Sequence, residues 1–177
     1  MSHIQLPQGL IYLKSPLSND DCISILNEID SSKTGWSNDL DRRTQHYGVR
    51  YDYKTKKIVN DAPPIIGSSV QRCINYFEPW FKHFSNNREI VNVIVNEYTS
   101  GQKISKHIDS KQFGDVVMTF SLGDSADMIM RRGNEIYTLT LNSGDIVILT
   151  GQSRYEWTHE IKSTTKIGFR RVSITFR

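Results

Sequence analysis

The segment from Phe169 to Arg177 alternates strictly from Arg171 onward: Val172, Ile174 and Phe176 are apolar, and Arg171, Ser173, Thr175 and Arg177 on either side of them are polar. A period of two marks a strand with one buried face. Two of the four polar positions are arginines. They either stand in solvent or turn inward toward an anion, because an unpaired buried guanidinium is costly. The same period recurs upstream. Val91, Val93 and Val95 alternate, Leu139 and Leu141 alternate with Thr138 and Thr140, and 116–121, 126–130 and 146–149 are further short runs divided by Gly, Asp and Asn turns. About eight short strands in one stretch predict a double-sheet jelly roll.

The first half reads as helical. Ser18 or Asn19 predicts an N-cap, with Asp20 and Asp21 in the first turn, where the helix dipole favours negative charge. Cys22, Ile25, Leu26 and Ile29 then form one face, and the helix is expected to end near Ser32. A second helix is expected to start after Pro64, with a stripe of Ile66, Val70, Cys73, Ile74 and Phe77. Pro79 should end or kink it, leaving Trp80, Phe81 and Phe84 in an aromatic turn. The fold class expected is therefore α+β: a double-stranded β-helix, or jelly roll, with N-terminal helices packed on one outer face. Without repeats, low-complexity runs or linkers, residues 1–177 are expected to be a single domain, and a monomer.

Composition excludes some classes. Cys22 and Cys73 are the only cysteines and lie in no metal-ligand spacing, so they read as reduced buried thiols, not a disulfide framework. No apolar run reaches the ~20 residues that span a bilayer, and the N-terminus lacks a secretory h-region, so a cytoplasmic or nuclear setting and no membrane partner are expected. A net charge of +3 tolerates a polyanionic substrate without demanding one.

His107 and Asp109 are two apart, so in extended chain both side chains point to the same side. A third donor, His159, can come from a distant strand. Two imidazoles and one carboxylate with open positions remaining suit a non-haem Fe(II) site, with catalytic zinc the main competitor. Close to such a metal, inward-facing Arg171 and Arg177 predict a small dianion, which the planar guanidinium fork binds with two parallel hydrogen bonds. Asn96 and Tyr98, again two apart, supply neutral donors from a neighbouring strand.

Residues 33–64 interleave Arg42, Arg43, Arg50, Lys54, Lys56 and Lys57 with Tyr47, Tyr51 and Tyr53. Aromatic faces stack on bases and basic groups follow phosphates, so this stretch points to a nucleic acid. Lys103, Lys106, Lys111, Arg131 and Arg132 extend the basic rim. The bland alternative is an ordinary solvated surface.

Taken together the motifs resemble the AlkB-like Fe(II)/2-oxoglutarate-dependent dioxygenases. The resemblance rests on Asn96-Glu-Tyr98, Gly101, His107-Ile-Asp109, Ser121-Leu-Gly123, Gly144-Asp145, Ser153-Arg154 with His159, and Arg171-Val-Ser173-Ile-Thr175-Phe-Arg177, across roughly residues 40–177. It implies that His107, Asp109 and His159 hold Fe(II). It further implies that Asn96, Tyr98, Arg171, Ser173 and Arg177 hold 2-oxoglutarate, Arg171 meeting the distal carboxylate, with dioxygen as the second co-substrate. It also implies that Arg43-Thr-Gln-His-Tyr-Gly48 belongs to a nucleotide-recognition lid, with Arg43, Tyr47 and Arg50 as substrate-binding residues and Tyr47 against the base. The implied reaction is oxidative demethylation of alkylated nucleobases in DNA or RNA. The alternatives are the same chemistry on a protein or small molecule, or a non-catalytic jelly-roll binding module. Two positions depart from the family pattern. Ser173 replaces a frequent Asn and keeps a donor. Lys111 stands where some DNA-repair members carry a base-reading Asp, which argues against that type of recognition.

Overall fold

A computed structural model describes residues 6–52 and 54–177, so Tyr53 and the first five residues lie outside the described residues. The chain opens with β1 (Leu10–Leu13), α1 (Asn19–Asp30), β2 (Arg43–Gly48), the short ribbon β3 (Arg50–Asp52) and β4 (Lys57–Val59), and α2 (Gln71–Phe84). It continues with β5 (Asn92–Thr99), β6 (Ile104–His107), β7 (Val117–Gly123), β8 (Ala126–Arg132), β9 (Glu135–Leu141) and β10 (Ile146–Leu149). A short helix, α3 (Gly151–Tyr155), precedes β11 (Thr158–Ile161) and β12 (Arg170–Phe176).

The strands form a six-stranded major sheet, ordered β1-β10-β7-β12-β5-β2, and a four-stranded minor sheet, ordered β6-β11-β8-β9. Every pairing between named strands is antiparallel. This is the jelly-roll architecture expected. The alternation of β12 separates two cores. Val172, Ile174 and Phe176 join Ile25, Ile29, Cys73 and Phe77 in a cluster between the helices and the outer face of the major sheet. Phe77 packs on Phe120 and Phe176, with ring centres 4.8 and 6.2 Å apart. A second cluster lies between the sheets, where Val117, Val147 and Leu149 meet Met128, Met130 and Leu141.

Ser18 caps α1 as expected, its hydroxyl accepting from the Asp21 amide at 3.1 Å. The second helix differs. It begins at Gln71, well after Pro64, which leaves Ile66 outside it and 85% exposed. Pro79 lies within the helix, and Phe81 and Phe84 continue it instead of forming a turn. Proline there forgoes its amide bond and crowds the Asn75 carbonyl, a cost offset by buried Phe77 and Phe81 on either side, which anchor the helix to the sheet. No helix among the described residues is long and apolar enough to cross a membrane.

Candidate metal and co-substrate centre

Antiparallel register arranges the inner face of the major sheet in rows. Thr44, Asn96, Ser173 and Ser121 are successive cross-strand neighbours and are all buried. One row away, Arg171 is opposite Tyr98 on one side and Gly123 on the other. Gly123 has φ +79°, and a Cβ there would stand 2.5 Å from the Arg170 carbonyl oxygen, so only glycine lets β7 approach β12 this closely. The face opens on a cavity of about 350 Å³ between the two sheets.

Arg171 is 2% exposed. Its Nη2 donates to Ser121 Oγ at 2.9 Å, and its guanidinium lies 5.5 Å from the Tyr98 ring centre. No carboxylate among the described residues pairs with it, and its Nε has no partner. Burial pulls its pKa below the ordinary arginine value. A buried cation held in this way lacks the counter-charge that would offset its desolvation.

At the other end of the cavity three donors converge. His159 on β11 is the cross-strand partner of His107 on β6, and their ring centres are 4.3 Å apart. Asp109 follows just past β6. One donor atom from each of His107, Asp109 and His159 lies within 4.8 Å of the others, and His159 Nε2 is 3.5 Å from Asp109 Oδ2. Ligand atoms at right angles around one ion at about 2.1 Å stand about 3 Å apart, so the set needs little closure to hold one. His107 Nδ1 meets the Ser105 carbonyl at 2.8 Å, which leaves Nε2 for a metal.

The protonation states suit metal ligation. Burial alone would raise the Asp109 carboxyl, but Arg177, His159 and His107 outweigh it and hold that group well below the usual carboxylate range. Burial pushes His159 down to about 4, so its imidazole is neutral and available as a ligand at pH 7. The donor chemistry fits Fe(II): two imidazoles and a carboxylate on one side, with the remaining positions facing the cavity.

Two arginines fix the carboxylate. Arg177 donates to Asp109 Oδ1 and, at 3.1 Å, to Asn92 Oδ1. Arg154, projecting from α3 and 1% exposed, donates to the carbonyls of Asp109, Ser110 and Gly114 at 2.9, 2.7 and 3.2 Å. It pins the loop that carries the metal ligand. In the sequence Arg154 stands only as a motif letter, and its local context gives no sign of this role.

All eight expected metal and co-substrate residues line this one cavity: Asn96, Tyr98, His107, Asp109, His159, Arg171, Ser173 and Arg177. The expected substrate residues do not. Tyr47 is fully buried on the helix side, its hydroxyl bonded to Gln45, Ser69 and Ser32, so it cannot border a base. Arg43 points the same way, paired with buried Glu97 and stacked on Trp36. Arg50 is tied to Asp61 outside the cavity. Strand parity explains the correction: β2 is a full member of the major sheet, and its odd residues face the helices. Arg42 and, from the β3–β4 ribbon, Tyr51 line the cavity instead. Tyr51 packs near Phe113, and the ribbon is tied to the metal loop where Gln112 donates to the Lys56 carbonyl at 3.0 Å. Arg131 and Arg132 are committed to Glu160, and to Glu135 and Glu156, and do not extend a free basic rim.

Comparison with known proteins agrees with this geometry. The family model described as the 2OG-Fe(II) oxygenase superfamily matches residues 9–177. The chain is 27% identical over 168 residues to the tRNA (carboxymethyluridine(34)-5-O)-methyltransferase ALKBH8 of Macaca fascicularis, covering 88% of this chain and 24% of that protein. It is 29% identical over 210 residues to the alkylated DNA repair protein ALKBH8 homolog of Arabidopsis thaliana, covering 99% of this chain and 59% of that one. The chain thus spans about a quarter to three-fifths of the length of these relatives. The fold is that of OsALKBH1, with a TM-score of 0.70, 22% identity and 98% of each chain covered. Matched along nearly its whole length, the chain belongs to the 2OG-Fe(II) oxygenase superfamily, as an AlkB-like member.

Proposed function

We propose that this chain is an Fe(II)- and 2-oxoglutarate-dependent dioxygenase that removes alkyl groups from nucleobases in DNA or RNA. The observation that carries it is Arg171, a buried guanidinium without a carboxylate partner among the described residues, in the same cavity as the His107–Asp109–His159 cluster. In this reading the cluster holds the metal. Arg171, with Tyr98 and Ser173, takes the distal carboxylate of 2-oxoglutarate, while Asn96 supplies a donor nearer the metal. Held by His107, Asp109 and His159, iron would supply, with 2-oxoglutarate and dioxygen, the oxidation of a substrate C–H bond coupled to formation of succinate and carbon dioxide; an N-methyl group so hydroxylated would be lost as formaldehyde.

The chain's own residues do the rest. Arg177 holds Asp109 ionised, and Arg154 fixes the backbone that aims it. Val117, Met128, Leu141 and Leu149 give the cavity an apolar wall that limits water. Support for a nucleic-acid substrate comes from the relatives' names and from the cavity's surroundings. Lys54, Lys56, Lys57, Lys106 and Lys111 are exposed beside the ribbon and metal loop, and none forms an ion pair among the described residues. Tyr51 at the cavity supplies a stacking face. An intracellular setting fits the two unpaired cysteines, Cys22 and Cys73, both buried.

The test is anaerobic binding of Fe(II) and 2-oxoglutarate, followed by succinate release with methylated oligonucleotides or peptides. Oligonucleotide-stimulated turnover supports the reading. Iron affinity unchanged in His107→Ala would overturn it.

A further inference from the structure

Arg42 stands just before β2 on its cavity side and is 8% exposed. Its Nε donates to Asn96 Oδ1 at 2.7 Å, and its guanidinium carbon lies 5.7 Å from the Tyr98 ring centre. Arg171 sits 5.5 Å from the same ring. Tyr98 is on β5, between β2 and β12, so it separates the two cations. The Nη1 and Nη2 atoms of Arg42 have no hydrogen-bond or ion-pair partner among the described residues. Arg171 makes one bond to a hydroxyl and Arg177 is occupied by Asp109 and Asn92, so Arg42 is the second guanidinium in this cavity that lacks an anion.

The charge count sharpens the point. Three guanidiniums, Arg42, Arg171 and Arg177, face the cavity with one carboxylate, Asp109. A divalent metal and a dianionic co-substrate cancel each other and leave that surplus in place. One co-substrate carboxylate occupies Arg171 and the other lies toward the metal, which leaves the fork of Arg42 free. We propose that Arg42 determines specificity by binding an oxyanion of the substrate, either a nucleotide phosphate or a carboxylate carried on the base, through Nη1 and Nη2. Asn96 holds the guanidinium in place through Nε. The inference rests on the dioxygenase reading above. Its chemical basis is the match between a planar fork and two oxygens of one anion.

The experiment uses the full chain loaded with Mn(II) and 2-oxoglutarate without oxygen, and calorimetry with two pairs of probes. Adenosine 5′-monophosphate against adenosine tests the phosphate, and 5-carboxymethyluridine against its neutral amide tests the carboxylate. The expected result is that one anionic probe binds at least tenfold more tightly than its neutral partner, which identifies the source. Arg42→Met should remove that preference while 2-oxoglutarate affinity stays within about twofold. Should Arg42→Met not fold, Arg42→Lys, which keeps the charge and loses the fork, is expected to cut the preference at least threefold. The inference is overturned if wild type prefers neither anion, if the preference survives in both variants, or if Arg42→Met loses 2-oxoglutarate as strongly as the probe. A wild-type chain that takes up neither Mn(II) nor 2-oxoglutarate overturns the dioxygenase reading itself, an outcome distinct from a loaded protein indifferent to anions.

Discussion

Arg177 donates to Oδ1 of Asp109, while Oδ2 of the same carboxylate faces His159 Nε2 at 3.5 Å. The two oxygens are thus divided between a fixed cation and the point where the imidazoles converge. Replacing Arg177 by Met removes the partner that keeps this buried carboxylate ionised and oriented. Metal affinity, followed by Mn(II) or Co(II) titration, is expected to fall by about ten- to a hundredfold. An unchanged affinity would show that the loop alone orients Asp109.

Arg154 acts one layer further out. Arg154→Met leaves three carbonyls, those of Asp109, Ser110 and Gly114, without their donor. Urea unfolding should show a loss of about 3 kcal/mol, the scale for buried acceptors left unmatched. The metal-free protein should show the same loss, which separates this effect from that of Arg177.

Tyr47 and Tyr51, both expected from the sequence to face a base, should separate in a mutational test. Tyr47→Phe loses a buried hydroxyl with three partners and should cost about 1–2 kcal/mol of stability. Its turnover of substrate should be unchanged. Tyr51→Ala should leave the unfolding midpoint nearly intact and slow substrate turnover, while 2-oxoglutarate decay without substrate persists.

His46 makes stability depend on pH. It lies on the cavity face of β2 opposite Ile94, and its Nδ1 is buried without a partner among the described residues. Burial first, then Arg50, Arg177 and Arg42, push its pKa down from 6.5 to about 4. The folded protein keeps the ring neutral where the unfolded chain takes up a proton. Its contribution is therefore complete above pH 6.5 and lost as pH falls through about 4. Relative to His46→Gln, the wild type should lose on the order of 2 kcal/mol across that window, a figure reduced from the full shift for partial exposure. Denaturant midpoints measured at several pH values check the sign.

The jelly-roll class was legible in the sequence, and so was the cavity face of β12; the faces of β2 and the bounds of α2 were not. Residues 171–177 show their parity because apolar side chains mark one face and leave the other to Arg171 and Ser173. No such contrast exists in β2, where Arg43, Gln45 and Tyr47 face the helices and Thr44 and His46 face the cavity, so that both faces carry polar groups. With polar groups on both faces the alternation is unreadable, so nothing in the stretch separates Arg42, on the cavity side, from Arg43 and Tyr47, on the helix side. The start of α2 was hidden for a different reason. Pro64 is compatible with a first helical turn, but the apolar stripe that packs on the sheet begins only at Val70 and Cys73. Pro79 reads as a terminator locally, and the packing of Phe77 and Phe81 overrides it. The role of Arg154 depends on carbonyls some forty residues away, which no local pattern encodes.

His107 and His159 become neighbours only when β6 and β11 pair, and β11 is also held by β8. Closing so long a loop is a slow, non-local event in folding. A chain that has built the helices and the major sheet alone therefore offers a metal only the His107–Asp109 half of its grip. Tight retention of the ion is acquired with completion of the smaller sheet, which makes metal uptake during refolding a reporter of the β6–β11 pairing.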